Sequence, residues 1–308
     1  MRRPQLSPRA YRRITALALV ALGAIVVSGA AVRLTGSGLG CSTWPNCEPG
    51  RLTPHGESGP HGLIEFVNRL FTGVVSVSVA AAVLGSVFRV PRRRDLTWWS
   101  WTLVAGVAAQ VVLGGLTVLF ELAPPFVMGH YLLSAVLVGC AVVLHHKAGE
   151  ADRGERRPVA TPEVRLLGKV LVAASAIVLI TGTVVTGSGP HGGDEDVQRL
   201  SFFIPDVVRI HAIAVWLLVA ATVWTLYLAR KGGASPVVER ALRVLIVAEV
   251  AQGAVGYTQY ATGVPVGLVA LHVFGSIVVW ACAVRVLLAT TAVDTAAHPA
   301  TERAAVPS

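Results

Sequence analysis

The sequence predicts an all-α integral membrane protein whose eight transmembrane helices form two pseudo-twofold-related four-helix bundles. Three observations predict this. Eight apolar runs reach or approach the ~20 residues that cross a bilayer. The chain is 54% hydrophobic and 14% charged, with a mean hydropathy of +0.64, which leaves too little charge to cover a soluble domain of 308 residues. Short motifs of the first half also return, in order, in the second.

The apolar runs are Ile14–Val32, Leu63–Phe88, Trp98–Leu119, Met128–His145, Leu166–Thr186, Val207–Ala229, Ala241–Thr258 and Val266–Leu288. The first competes with a cleaved signal peptide. Its apolar core exceeds the usual ~7–15 residues of such a segment, and it ends in a motif that recurs later, so it reads as a helix. Charge sets the orientation. Arg9, Arg12 and Arg13, with Arg2 and Arg3, precede helix 1. Arg89, Arg92, Arg93 and Arg94 follow helix 2, and Lys147 to Lys169 follow helix 4. Arg230, Lys231, Arg240 and Arg243 follow helix 6, and Arg285 and Arg303 close the chain. These loops alternate with basic-poor ones, which predicts that both termini are cytoplasmic in a multi-pass protein of the cell membrane. The net charge of +9 is therefore a topology signal that meets membrane lipid, with no nucleic-acid surface.

The charged inner loop divides the chain. The expected units are an N-terminal four-helix repeat over 1–150, a cytoplasmic linker over 151–165, a C-terminal four-helix repeat over 166–290 and a disordered tail over 291–308. Thr35-Gly36-Ser37-Gly38 ends helix 1, and Thr186-Gly187-Ser188-Gly189 ends helix 5 at an offset of 151. His61 pairs with His211 at offset 150. Gln110 pairs with Gln252, and His130 with His272, both at 142. Equivalent positions lie four helices apart, so the repeats share one orientation, as in membrane proteins built from parallel repeats.

Outer loop 1 holds Cys41 and Cys47. An oxidising compartment permits a disulfide there, with two free thiols, or a zinc site with His55, as the alternatives. Cys140 and Cys282 read as small core residues.

His61, His130, His211 and His272 each lie near the outer end of an even-numbered helix. A histidine within the membrane is costly unless paired, hydrated or bound. Four at one depth, two per repeat, point to metal or haem ligation. Haem suits two imidazoles from facing helices, His61 with His130 and His211 with His272. A bare zinc or copper ion needs three or four ligands at one point. The halves then diverge. Glu65 follows His61 by four residues, and Asn68 lies on the same helical face. Helix 6 has no matching carboxylate. Beside a haem, Glu65 would relay protons or orient an oxidised group. An ion pair to Arg69 is its structural alternative. Arg33 and Arg209 sit where they would pair haem propionates or snorkel to the interface. Glu249 and Glu121 are second-rank polar candidates, and His145, His146, His55, His191 and His298 read as bland.

The stretch Thr35-Gly-Ser-Gly-Leu-Gly-Cys41-Ser-Thr-Trp-Pro-Asn-Cys47 resembles the first outer loop of the haem A synthase family. His61-Gly-Leu-Ile-Glu65-Phe-Val-Asn68-Arg69 resembles its second helix in the form of actinobacterial members. The resemblance covers nearly the whole chain. It implies oxidation of the C8 methyl of haem O to a formyl group by successive hydroxylations, giving haem A for terminal oxidases. It implies haem b held by His211 and His272, the substrate haem near His61, His130, Asn68 and Arg69, catalysis through Glu65 and His61, and a Cys41–Cys47 disulfide. It also implies an electron donor that the sequence does not name, and makes a haem O synthase a plausible partner. A homo-oligomer is compatible with it. Many members carry a histidine where this chain has Asn68. The residues alone fit equally a bis-haem cytochrome that carries electrons from quinol.

Overall fold

The computed structural model describes residues 5–55 and 59–295. Arg2, Arg3, His298, Arg303 and the rest of the tail from 296 onward lie outside the described residues. Eight helices carry the chain: α1 Pro8–Leu34, α2 Gly59–Phe88, α3 Arg94–Leu119, α4 Pro124–Ala148, α5 Pro162–Ser188, α6 Ile204–Lys231, α7 Pro236–Ala261 and α8 Val266–Ala289. All eight are long and apolar enough to cross a membrane. Two four-residue strands, β1 Glu155–Pro158 and β2 Thr291–Asp294, pair antiparallel.

α1, α5 and α7 begin earlier than hydropathy alone places them, because proline starts them. Ser7, Thr161 and Ser235 stand before Pro8, Pro162 and Pro236. Each hydroxyl accepts an amide N–H of the first turn, at 3.2 Å from Ala10, 3.4 Å from Val164 and 3.3 Å from Val237. Proline loses no bond at the first helical position, and the side chain satisfies an amide that the helix cannot. α5 therefore starts inside the stretch expected to be linker.

α1 to α4 pack as a ring, each against the next and α4 against α1. α5 to α8 do the same, and α8 crosses between the halves onto α4 and α1. One apolar core is built mainly from α1 to α4 and continues across the seam to Leu179 of α5 and to Ile277 and Val284 of α8; a second lies within α5 to α8. The seam carries polar contacts as well. Tyr131 Oη lies 2.6 Å from Ser276 Oγ, and Trp280 Nε1 donates to the Ala135 carbonyl at 2.7 Å. Gly139 makes room for that indole, since a Cβ there would stand 3.1 Å from Nε1. Leu, Val, Ile and Trp side chains cover the outward faces. An apolar exterior of this extent suits lipid, not water.

One end of the bundle is basic. Arg89 is 1% exposed and ion-paired to Asp152, while Arg93 reaches Asp95 at 2.8 Å and Glu150 at 3.7 Å. The expected disordered tail departs from the structure here. Its first four residues are β2, which pairs with β1 from Glu155↔Asp294 to Pro158↔Thr291. Strands so short and polar carry no apolar periodicity, so hydropathy passes over them.

Candidate functional site

The other end of the bundle carries the histidines, and three of the four share one environment. In α4, His130 packs against Gly114 of α3, where a Cβ would lie 3.1 Å from Cε1. In α8, His272 packs against Gly256 of α7 at 2.9 Å, and in α6 His211 packs against Gly182 of α5 at 3.2 Å. Each ring lies on bare backbone of the neighbouring helix, so each glycine is a requirement of close approach. Polar neighbours then hold the rings. Thr181 Oγ1 lies 3.0 Å from His211 Nδ1, and Gln252 Nε2 lies 3.1 Å from His272 Nδ1. Gln252 also donates to the His272 carbonyl at 2.7 Å, and Gln110 donates to the His130 carbonyl at 3.0 Å. His130 Nδ1 is buried with no partner among the described residues.

This arrangement suits axial ligation. A ligating imidazole commonly donates its second ring N–H to a neighbouring acceptor that fixes the ring. In the C-terminal half Thr181 Oγ1 can accept from Nδ1–H of His211, which leaves its Nε2 for a metal, whereas the Gln252 amide nitrogen, a donor, faces Nδ1 of His272. Among the described residues no group of three His, Cys, Asp or Glu side chains converges on one point. The residues present therefore fit a haem iron held by two imidazoles.

His61 departs from the expected depth. It lies in the first turn of α2, exposed, with Nδ1 2.8 Å from Ser37 Oγ. His211 lies two turns inside α6. Register shows why. His211 stands 20 residues before the end of α6 at Lys231, and Asn68 stands 20 before the end of α2 at Phe88. Loop 35–58 has 24 residues against 15 in loop 189–203, and this insertion falls before α2. The counterpart of His211 is thus Asn68, and the expected pairing at offset 150 does not hold. Ser28 of α1 lies against Asn68, as Thr181 of α5 lies against His211. Ser28 Oγ is 2.7 Å from Asn68 Oδ1, and nothing stands within 4 Å of a Cβ placed on Gly29.

Glu65 lies one turn from Asn68 toward the loops and is 5% exposed. Arg69 Nε donates to Oε1 at 3.1 Å and the Cys41 amide donates to Oε2 at 2.7 Å. Arg69 continues to the carbonyls of Thr43 at 3.1 Å and Asn46 at 3.0 Å. The structural alternative for Glu65 is thus present: an ion pair that seats loop 35–58 on α2. Cys41 and Cys47 form a disulfide within that loop, with an S–S distance of 2.03 Å. In register, Val208 stands opposite Glu65, so the carboxylate belongs to one half only.

Glu249 is 4% exposed in the C-terminal half. It accepts from Thr222 Oγ1 at 2.9 Å, and its Oε2 has no partner among the described residues. Arg209 is exposed and pairs with Asp206 at 3.3 Å, turned away from the histidines. Arg33 instead lies under loop 189–203 and donates to the Thr186 carbonyl at 2.9 Å. Arg199, which the sequence reading passed over, lies beside it. Its only signal was a lone cation in a basic-poor loop.

Comparison with known proteins finds the same family over part of the chain. Residues 12–190 match the family model described as cytochrome oxidase assembly protein, COX15-CtaA. The chain is 26% identical over 221 residues to the heme A synthase of Listeria welshimeri, covering 68% of this chain and 71% of that one. It is 27% identical over 212 residues to the heme A synthase of an Exiguobacterium species, covering 67% and 69%. Over 137 residues it is 32% identical to the heme A synthase of Lysinibacillus sphaericus, covering 44% of each. With its eight membrane-length helices and the family model spanning more than half its length, the chain belongs to the COX15-CtaA family of cytochrome oxidase assembly proteins.

Proposed function

We propose that this protein is a haem A synthase, a membrane oxidoreductase that converts the C8 methyl of haem O to the formyl of haem A. Family membership and three relatives of that name support the activity. The observation that carries the division of labour is the asymmetry between halves. In 166–290, two imidazoles lie on glycine cradles with polar side chains beside their Nδ1 atoms. In 1–150, the matching position is Asn68, one turn from a buried carboxylate.

His211 and His272 hold haem b as a resident cofactor, which supplies electron transfer when bound. The N-terminal half takes haem O as substrate. His130 faces its iron, His61 stands at the mouth, and Asn68, Glu65 and Arg69 line the opposite side. Arg69 and the Cys41 amide orient the Glu65 carboxylate, which suits it to accept a proton as the methyl is oxidised. Two hydroxylations of that methyl, each a two-electron oxidation by an external oxidant, give a gem-diol, which loses water to leave the formyl. The electron donor is a separate partner, and a haem O synthase that delivers an insoluble substrate directly is a natural neighbour.

Basic loops at one end put that face in the cytoplasm and the histidine face outside, in the cell membrane. The twofold relation of the halves is supported by the paired glycine cradles and by helix contacts that exchange α1 with α5 and α4 with α8.

Co-expression with a haem O synthase, in a host that makes no haem A, tests the reading. Mass spectrometry of the extracted haems should show haem A or its hydroxylated precursor. Only haem B and unreacted haem O, from folded and haem-loaded protein supplied with its electron donor, would reject it.

A further inference from the structure

A cleft of about 890 Å³ opens on the histidine face between loops 35–58 and 189–203. His61 lines it from α2, Arg33 from the end of α1, and Arg199 from loop 189–203. The two side chains flank Gly192 and Gly193: a Cβ on Gly192 would collide with Arg199 Cζ, and one on Gly193 would lie 3.6 Å from Arg33 Cγ. Among the described residues neither has a carboxylate within ion-pair distance, and the Nε of Arg33 is buried without a partner. Glu48, Asp194, Glu195 and Asp196 also line the cleft, but Glu195 and Asp196 are exposed at its rim. Two adjacent, partly buried cations with spare donors form a receptor for carboxylate, since guanidinium and carboxylate match as paired forks.

Position supports one occupant. Ser28 of α1 marks the depth of Asn68 through its 2.7 Å contact. Arg33 is five residues further along the same helix, ~7.5 Å closer to the surface and turned ~140° around it, so that it reaches the Thr186 carbonyl of α5 beside loop 189–203. A porphyrin whose iron lies at the level of Asn68 and His130 carries its propionates about that far out. We propose that Arg33 and Arg199 bind the propionates of the substrate haem, so that both halves of the protein orient one substrate. This rests on the haem A synthase reading. A single anchored edge would fix which pyrrole methyl is presented to the Glu65 side, and so serves regioselectivity. Arg33 and Arg199 are positioning residues in this account.

The test uses the full chain with its resident haem, in phosphatidylcholine nanodiscs. Zinc protoporphyrin IX and its dimethyl ester are titrated by fluorescence. Wild-type protein should bind the diacid roughly tenfold or more tighter than the diester, as expected for lost charge-assisted hydrogen bonds. Arg33→Gln with Arg199→Gln should bring the diacid down to the level of the diester and leave the diester unmoved. An unchanged low-spin spectrum of the resident haem checks the fold. Equal binding of diacid and diester by wild type, or a preference that survives both substitutions, overturns the proposal alone. A preference abolished by phosphatidylglycerol in the nanodisc assigns the arginines to a lipid headgroup and likewise overturns it. If neither porphyrin binds, the substrate-haem reading of the N-terminal half falls with it.

Discussion

A histidine placed at position 68 would meet open space. Ser28 contacts Asn68 as Thr181 contacts His211, and nothing stands within 4 Å of a Cβ placed on the neighbouring Gly29. Asn68→His should therefore fold normally, with stability changed by about 1 kcal/mol or less. It should add a second imidazole opposite His130. Haem titration followed by electron paramagnetic resonance would then show an added low-spin centre, and a spectrum identical to wild type would contradict this placement. His211→Ala or His272→Ala should each abolish the resident low-spin haem, since each removes an axial ligand; full retention in both would refute the assignment. Glu65→Gln should keep that haem yet yield no haem A on extraction. Arg69→Met acts differently. It strips the buried Glu65 carboxylate of its cation and should cost roughly 3 kcal/mol, read as an earlier thermal midpoint in detergent. If the two variants lose activity and stability alike, Glu65 is a latch for the loop and nothing more.

At the scale of the element, helix ends and helix contacts carry the design. Gly256 lets the ring of His272 rest on α7, where a Cβ would come within 2.9 Å of Cε1. Gly256→Ala should tilt that imidazole and lower haem retention during purification several-fold, while a glycine with nothing near it, Gly253, should accept alanine silently. Hydropathy made the eight helices readable, because each must satisfy its backbone in lipid and so shows a long apolar run. Their register was not readable. His61 and His211 occupy the same place in the order of motifs, and an insertion ahead of α2 is invisible until both helix ends are known. Arg199 was hidden for a related reason. Loops carry no periodicity, and only the folded loop shows that this cation lies beside Arg33.

The whole molecule is organised by two dissimilar ends. At the histidine end, polar side chains face rings and a cleft. At the basic end, Arg89 is sealed beneath Asp152 and the loops around it. Asp152→Ala should leave that guanidinium unpaired in the interior and destabilise the protein by about 3 kcal/mol, again measurable as a lowered thermal midpoint. The basic residues that announce this end were legible as a topology signal, whereas their ion pairs, made between loops distant in sequence, were not.

The pairing of β1 with β2 has one further consequence. It brings the entrance to α5 against the exit of α8, and the Val159 amide reinforces the meeting by donating to the Thr290 carbonyl at 3.0 Å. The second half is thus a closed circuit whose two ends are stitched together on one face. A segment with that property can be copied, inserted or severed from its neighbour without leaving loose ends. A chain cut between Asp152 and Gly154 should reassemble from two separately translated pieces, held by the α4–α8 seam. Such a cut would reproduce the condition from which a duplicated bundle begins: two complete rings, side by side, with no covalent need of each other.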